Sequence, residues 1–269
     1  LLFVKYVTDK YYGKPDALLV VPEGGSFHDM VKLKGNSEIG DRMNKIIHKL
    51  AEKNELVGVI TVADFNDDDK LGRGKEKVDR LTNLVSIFES DSLDLSKNRA
   101  DGDDLLGDAY EYLMRNFATE SGKSKGQFYT PAEVSRVMAQ VIGVEKSNSR
   151  GDTIYDPTCG SGSLLLKAAD EAPFGLTIYG QEKDNATRAL AKMNMILHGN
   201  EIADIRQGDT LSSPQFLAED GSLETFDYAV ANPPFSTKSW RNGLDPENDQ
   251  YGRFQGFGIP PAKNGDYAF

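Results

Sequence analysis

The chain has 269 residues, a length that allows one large domain or two of ordinary size. Hydrophobic residues make up 39% and charged residues 27%, a composition that excludes a disordered or collagen-like protein. The apolar run at residues 1–4 ends at Lys5, and no other run approaches the roughly 18–20 apolar residues of a membrane span. The net charge of -11 argues against a protein that coats nucleic acid by itself, because phosphate binding depends on dense Lys and Arg.

Cysteine usage and the chain ends add two expectations. Cys159 is the single cysteine, which excludes a disulfide framework and a cysteine-rich zinc site. A lone thiol fits a reducing compartment, so we expect a cytoplasmic protein without membrane contact and without a bound metal. The chain begins at Leu1 instead of Met and ends at Phe269 without a closing helix signal, which predicts a piece of a longer protein.

The first predicted elements are of mixed type. Residues 16–21 are mostly apolar and end at a Pro-Glu-Gly-Gly turn, which predicts a short strand. Residues 39–53 have the spacing of an amphipathic helix, and residues 80–88 repeat this spacing. Residues 56–62 are rich in β-branched side chains and favour a strand, with a helix as the alternative.

An acidic run, Asn66–Asp69, resembles the start of a calcium-binding loop. An EF-hand loop needs Gly at its sixth position and Glu at its twelfth. Counted from Asp64, these positions hold Asp69 and Lys75, so the sequence favours a solvated acidic turn.

The charge pattern indicates a domain boundary. Residues 91–111 carry seven acidic and two basic residues, and an amphipathic helix pattern at 105–117 overlaps them. Residues 123–150 carry five basic and two acidic residues, after a small polar stretch. We therefore predict a mainly helical N-terminal domain at residues 1–120, followed by a second domain at residues 121–269.

The second domain alternates helix and strand patterns. A capping box with Pro at the first helical position, Thr130–Glu133, starts a helix predicted to bury Val134, Val137, Met138 and Val141. Strand patterns follow at residues 153–155, 176–179, 203–206 and 226–231, with helices at 163–169 and after Asp184. This alternation predicts an α/β fold with a doubly wound parallel sheet. Ligands of such sheets bind at the carboxyl ends of the strands.

A glycine loop follows the first of these strands, at Asp156–Ser163. Its glycines let the backbone approach a ligand closely, and the next helix directs free N–H groups to the same place. Leu166 occupies the position of the third glycine in a dinucleotide fingerprint, and the absence of Gly-Lys-Ser/Thr excludes a P-loop. By itself the loop fits either a cofactor site or an ordinary turn.

Acidic residues close the next two strands. Glu182 lies 26 positions after Asp156, where a carboxylate can accept hydrogen bonds from both hydroxyls of a ribose. Asp209 closes the third strand in the same way and can accept a bond from an adenine amino group. Either carboxylate alone would be interpreted as solvated, but the register of Glu182 with the glycine loop favours a binding role.

The fourth strand ends in Asn232-Pro233-Pro234-Phe235. The two prolines fix the backbone and have no N–H, which leaves Asn232 Oδ1 and the Pro233 carbonyl as acceptors. Phe235 supplies a flat apolar face. Two acceptors beside an aromatic plate suit a planar amine, although a strand-ending turn is also compatible with this composition.

Together these motifs resemble the amino-group DNA methyltransferases that use S-adenosylmethionine. In that family the glycine loop holds the methionine part of the cofactor, the second-strand acid holds the ribose, and the Asn-Pro-Pro-aromatic tetrapeptide is catalytic. The position of Gln127–Pro131 upstream of the glycine loop is similar to the order of the gamma class. The resemblance implies a Rossmann-like methyltransferase fold and methyl transfer to N6 of an adenine that has left the duplex.

A narrower resemblance covers most of residues 105–269. The stretch Asp104–Leu113, followed by Gly126–Pro131, is similar to the modification subunit of type I restriction–modification systems. It implies double-stranded DNA as substrate and, as partners, a specificity subunit, a second modification subunit and a restriction subunit. One departure is Ala132, where Arg is expected; Arg136, one turn further on, is a candidate replacement for it.

The resemblance also assigns site residues. The implied catalytic residues are Asn232, Pro233, Pro234 and Phe235. Lys238 and Arg241 are either phosphate contacts or simple surface charge. The implied cofactor contacts are Gln127, Phe128, Tyr129, Thr130, Pro131, Ala132, Asp156, Gly160, Ser161, Gly162, Ser163, Glu182 and Asp209. Three alternatives stay open: methylation of a protein glutamine, methylation of RNA, and a non-catalytic scaffold that binds the cofactor.

Overall fold

The structure, a computed structural model, describes residues 1–14, 16–90, 92–96, 112, 130–235 and 237–269. The chain divides into two compact units, Leu1–Asp108 and Ala109–Phe269. The boundary predicted near residue 120 and the helix predicted at 105–117 lie outside the described residues. The same holds for the cofactor contacts predicted at Gln127, Phe128 and Tyr129.

The N-terminal unit is helical over much of its described length. Its helices are α1 Leu2–Tyr11, α2 Phe27–Val31, α3 Ile39–Lys53, α4 Asp68–Leu71 and α5 Lys75–Phe88. The helices predicted at 39–53 and 80–88 are therefore confirmed. The backbone N–H of Phe27 donates to Thr8 Oγ1 at 2.8 Å, which joins α1 to α2. Side chains fully buried in this unit include Tyr6, Met30, Ile39, Met43, Leu50 and Leu81.

Two predicted elements of this unit are wrong. Residues 16–21 form no strand, and the backbone of Val20 bonds to one side chain instead of a neighbouring strand. Its N–H donates to Asn54 Oδ1 at 2.7 Å, and its carbonyl accepts from Asn54 Nδ2 at 2.8 Å. Residues 57–62 form turns, because the N–H groups of Val59 and Ile60 both donate to the Leu56 carbonyl.

The C-terminal unit contains a parallel four-stranded sheet. Its strands are β1 Thr153–Asp156, β2 Thr177–Glu182, β3 Asp204–Gln207 and β4 Tyr228–Ala229, in the order β3-β2-β1-β4. In the register, Ile154 of β1 pairs with Ile178 and Tyr228. This is the order of the first four strands of a Rossmann fold, so the predicted Rossmann-like α/β fold is confirmed. The fourth strand is shorter than its pattern at 226–231 predicts.

Three helices pack on one face of this sheet. They are α6 Ala132–Ile142, α7 Ser163–Asp170 and α8 Asn185–Leu197, and they share a buried cluster with Ile154, Ile178 and Ile205. Side chains alternate between the faces of a strand, so Tyr155 lies on the opposite face. There its ring stacks on Phe226 with the centroids 4.6 Å apart. The helices predicted at 163–169 and after Asp184 are confirmed.

Helix α6 differs from its prediction at its start and on its buried face. Pro131 is the N-cap, and no side chain caps the helix, so the predicted capping role of Thr130 is wrong. The buried positions are Ser135 and Ala139, and Met138 packs against the buried cluster as predicted, whereas Val134 is 47%, Val137 59% and Val141 81% exposed. The small side chains permit a close approach to the neighbouring helix, and this packing overrides the apolar pattern on which the prediction rested.

Candidate functional site

A cavity lies at the carboxyl ends of the four strands. It has a volume of about 510 Å³, within the range of sites for small molecules. Each strand contributes residues to its wall from its own end: Pro157 and Thr158 after β1, Glu182 of β2, Asp209 after β3, and Asn232 and Pro234 after β4. The structure therefore brings together four residues that the sequence predicts as functional, Glu182, Asp209, Asn232 and Pro234.

The glycine loop after β1 is tied to β2. The N–H of Cys159 donates to the Gln181 carbonyl at 3.0 Å, and the N–H of Gly160 donates to Glu182 Oε2 at 3.1 Å. Gly160 and Gly162 adopt φ angles of 54° and 79°, a region that glycine enters readily. Gly162 is the residue before α7, so the loop places the first turn of that helix next to the strand ends.

We expect Gly162→Ala to lower the free energy of unfolding by about 2–4 kcal/mol, because it combines a left-handed φ with a steric contact. A Cβ at Gly162 would lie 2.5 Å from Met195 Cε. Gly199 is the matched control, because its φ is 77° and nothing lies within 4 Å of its Cβ position. Gly199→Ala should cost about 1–2 kcal/mol. Urea unfolding of both variants measures the difference, and equal losses would contradict the role of Met195.

Asp156 is a buried carboxyl at the end of β1. Its Oδ1 accepts from the N–H of Thr158 at 2.8 Å. The pKa of Asp156 is raised from 3.8 to about 7, mainly by burial, with a smaller contribution from the charge of Glu182, while the bonds from Thr158 work in the opposite direction. Burial also raises the pKa of the neighbouring Cys159 thiol well above its usual value, so the thiol stays protonated at neutral pH.

The raised pKa makes stability depend on pH. Because the folded state binds a proton more tightly than the unfolded state, this contribution is present below about pH 4 and is lost as pH rises to about 7. Asp156→Asn keeps an oxygen for Thr158 and removes the titration. From pH 5 to pH 8, the wild type should lose about 2–3 kcal/mol more than this variant. Urea unfolding of both proteins at the two pH values is the measurement, and a pH-independent difference would exclude the buried titration.

The carboxylates on the cavity wall each have protein partners. Glu182 Oε1 accepts from the N–H of Asp184 at 2.8 Å, in addition to the bond from Gly160. Asp209 Oδ2 accepts from Lys183 Nζ at 2.7 Å, and Asp209 Oδ1 from the N–H of Leu211 at 3.0 Å. These bonds fix the position of both side chains at the strand ends.

The Asn-Pro-Pro-Phe segment contacts Thr130, which lies two residues before α6. Asn232 Nδ2 donates to Thr130 Oγ1 at 3.2 Å, across 102 positions of sequence. With the amide nitrogen directed to Thr130, Oδ1 points to the other side of the amide group. Phe235 is 66% exposed, and the Pro234 carbonyl accepts from Thr237 Oγ1 at 3.1 Å. The segment therefore combines a fixed amide with an aromatic ring that solvent reaches.

Other residues of the predicted site lie away from the cavity wall. Ser161 and Ser163 are buried, and their hydroxyls bond to each other at 2.9 Å. The described residues that line the cavity do not include Thr130, Pro131, Ala132, Asp156, Gly160–Ser163, Pro233 or Phe235. Arg136, considered as a replacement for the Arg expected at Ala132, pairs with Glu171 at 3.1 Å. Roles in ligand binding stay predictions for all of these residues.

Sequence reasoning missed part of the wall. Leu211 and Trp240 both line the cavity. Arg253 holds the backbone of Leu211 in place. The guanidinium of Arg253 donates to the carbonyls of Thr210 and Leu211 at 3.3 and 2.8 Å. No local pattern around residue 253 signals this contact, since it joins positions more than 40 residues apart. Arg241, a predicted phosphate contact, donates to the Pro260 carbonyl at 3.2 Å.

The described residues contain no group of three or more His, Cys, Asp or Glu side chains that would hold a metal ion. The acidic run of the N-terminal unit has another role, because Asp67 caps α4 by accepting from the N–H groups of Asp69 and Lys70. Within the same described ranges, no helix has the length and apolar character that crossing a membrane requires.

Fold and site together define a Rossmann-like methyltransferase domain. Residues 101–269 match the model of the N-6 DNA Methylase family, and the chain belongs to that family. It is 29% identical to the type I restriction enzyme MjaVII methylase subunit of Methanocaldococcus jannaschii, and 30% identical to the MjaVIII methylase subunit of the same organism. Each alignment covers 100% of this chain and 49% of the relative, so the chain spans about half the length of the curated relatives it matches.

A solved structure agrees with these relatives. The type I restriction-modification system methyltransferase subunit from Streptococcus thermophilus superposes with a TM-score of 0.77 at 26% sequence identity. The match covers 99% of this chain and 64% of that chain. The fold of both units is therefore similar to a known methyltransferase subunit.

Proposed function

We propose that the protein transfers a methyl group from S-adenosylmethionine to N6 of an adenine in double-stranded DNA, as the modification subunit of a type I restriction–modification system. One observation carries this proposal: Asn232 and Glu182 line the same cavity, at the ends of β4 and β2. The predicted amine acceptor and the predicted ribose acceptor thus face one space. The names of the relatives, which are methylase subunits of type I restriction enzymes, support the same function.

The cavity fits the cofactor in size and chemistry. A volume of about 510 Å³ suits a nucleoside with an amino-acid arm, and Glu182 and Asp209 offer carboxylates to hydroxyl and amino groups. Leu211 and Trp240 supply apolar wall for a purine. We assign the ribose to Glu182, the adenine amino group to Asp209, and the methionine part to the glycine loop. When bound, the cofactor supplies a methyl group activated by its positively charged sulfur.

The residues of this chain would prepare the target amine. Adenine N6 is a poor nucleophile because its lone pair is delocalised into the ring. Asn232 Oδ1 and the Pro233 carbonyl would accept its two N–H groups, hold the nitrogen in place, and stabilise the positive charge that develops there. The exposed ring of Phe235 would stack on the base once it has left the duplex.

Partners would supply most of the DNA contact. The net charge of -11 disfavours binding of DNA by this chain alone. We propose that a specificity subunit recognises the DNA sequence and that two modification subunits act in one complex. In the complex that cleaves DNA, a restriction subunit is added. Lys238 is exposed and stays a candidate phosphate contact.

A labelled-methyl assay tests the function. The protein is expressed alone and together with a specificity subunit, and the label is followed into duplex DNA, RNA and protein. We expect label in adenine of duplex DNA, with the specificity subunit required for full activity. Label in RNA or protein but never in DNA would refute DNA methylation and favour a different methyl acceptor.

A further inference from the structure

Asn194 is a polar side chain buried completely in the last turn of α8. Its Nδ2 donates to the backbone carbonyl of Ser161 at 3.0 Å, so it reaches from α8 into the glycine loop. Its Oδ1 has no hydrogen-bond partner among the described residues. A buried acceptor without a partner costs stability, and an apolar residue of similar shape would avoid that cost. The bond to the loop is the stabilising contact that an asparagine makes at this position.

That bond completes the fixation of one peptide group. The carbonyl of Ser161 and the N–H of Gly162 belong to the same planar peptide. Asn194 holds the carbonyl, and the Gly162 N–H donates to the Cys159 carbonyl at 2.8 Å. With both ends bonded, the plane of this peptide can no longer rotate. It directly precedes α7, whose first N–H groups point towards the strand ends.

Met195, the next residue of α8, packs against Gly162 of the same loop. Met195 Cε fills the space where a Cβ at Gly162 would lie, at 2.5 Å from that position. The loop is therefore held between two supports. On one side β2 binds Cys159 and Gly160, and on the other side α8 contacts Ser161 and Gly162 through Asn194 and Met195.

We propose that Asn194 is a positioning residue for the cofactor loop. By fixing the Ser161–Gly162 peptide, it holds the loop in the form that binds S-adenosylmethionine, so removal of its donor weakens binding of the cofactor. The inference rests on the proposed function for the identity of the ligand. The bond from Asn194 to the Ser161 carbonyl does not depend on which ligand binds.

The test uses Asn194→Leu, which removes the donor and keeps the number and branching of the side-chain heavy atoms, and Asn194→Ala as a second variant without steric demand. The control is Ile196→Val. Ile196 is also buried in α8, but it lies roughly 200° around the helix from Asn194. Affinity for S-adenosylhomocysteine is measured by calorimetry, and exchange of the amide hydrogens of residues 160–164 by mass spectrometry.

We expect both Asn194 variants to bind S-adenosylhomocysteine about 3- to 10-fold more weakly, the loss of one neutral hydrogen bond. Their loop amides should exchange faster, whereas Ile196→Val should change neither quantity. At saturating cofactor, methyl transfer should return to within about twofold of wild type, because the residue acts on cofactor binding.

Unchanged affinity in both Asn194 variants would overturn the proposal, as would an equal loss in Ile196→Val. If the wild type itself fails to bind S-adenosylhomocysteine, the proposed function is refuted. In that case hydrogen exchange still tests the bond from Asn194 to the loop. Unchanged protection of the loop amides in both Asn194 variants would show that this bond does not hold the loop.

Discussion

Asn232→Ala should lower methyl transfer to duplex DNA by about 100- to 1,000-fold, the range seen when one group that stabilises a transition-state charge is removed. The side chain is one of the two acceptors proposed for the adenine amine. Its amide nitrogen is engaged by Thr130 Oγ1 at 3.2 Å, so its orientation is set before the base arrives. Alanine removes the acceptor and leaves the backbone of the two prolines unchanged.

Cofactor binding should survive this substitution. Glu182 and Asp209 lie at the ends of other strands, so we expect the affinity for S-adenosylhomocysteine to change less than about threefold. Transfer is measured with labelled cofactor at saturation, and affinity by calorimetry. Asn242→Ala is the matched control, because Asn242 is an exposed asparagine in the segment that follows. Transfer by Asn232→Ala at the rate of Asn242→Ala would refute the assigned role.

The parts of the fold that local patterns determine could be predicted from the sequence. Helix α3 has the predicted bounds, and α8 begins after the predicted cap, Asp184. The segment at 16–21 could not be predicted, because Asn54 occupies the backbone groups of Val20 from 34 positions away. A pattern of apolar residues cannot show that a distant side chain has replaced a neighbouring strand.

The residues of the cavity also divide into those that the sequence predicts and those that it does not. Glu182 and Asn232 could be located because Glu182 ends β2 and Asn232 follows β4 by three residues, and parallel strands bring their carboxyl ends to one edge. The wall formed by Leu211 and Trp240 depends on how the later segment folds back, and Arg253 holds it through backbone carbonyls. Carbonyl contacts leave no requirement for a particular residue type at Leu211, so the sequence carries no signal for them.

Glu182→Gln should weaken binding of S-adenosylhomocysteine by about 10- to 100-fold, the loss expected for hydrogen bonds to a charged group. The two oxygens of Glu182 accept from different backbone donors, the N–H of Gly160 and the N–H of Asp184. A glutamine has one oxygen and one NH₂ group, so it can satisfy one of these donors and must turn a donor towards the other. The variant therefore disturbs the loop and the proposed ribose contact at once.

The same substitution should change the titration of Asp156. The charge of Glu182 is one cause of the raised pKa of Asp156, so its removal should move that pKa below about 7. Stability would then fall with pH over a narrower range, and urea unfolding between pH 5 and pH 8 measures this. Glu145→Gln, at an exposed position of the same unit, controls for the loss of one negative charge.

The two measurements separate the roles of Glu182. A narrower titration with unchanged affinity would mean that Glu182 is a structural neighbour of Asp156 and that the ribose contact lies elsewhere. Weaker binding in Glu145→Gln as well would assign the effect to net charge. Weaker binding confined to Glu182→Gln, together with the shifted titration, is the result expected if one carboxylate both braces the glycine loop and receives the ribose, because both tasks use the same two oxygens.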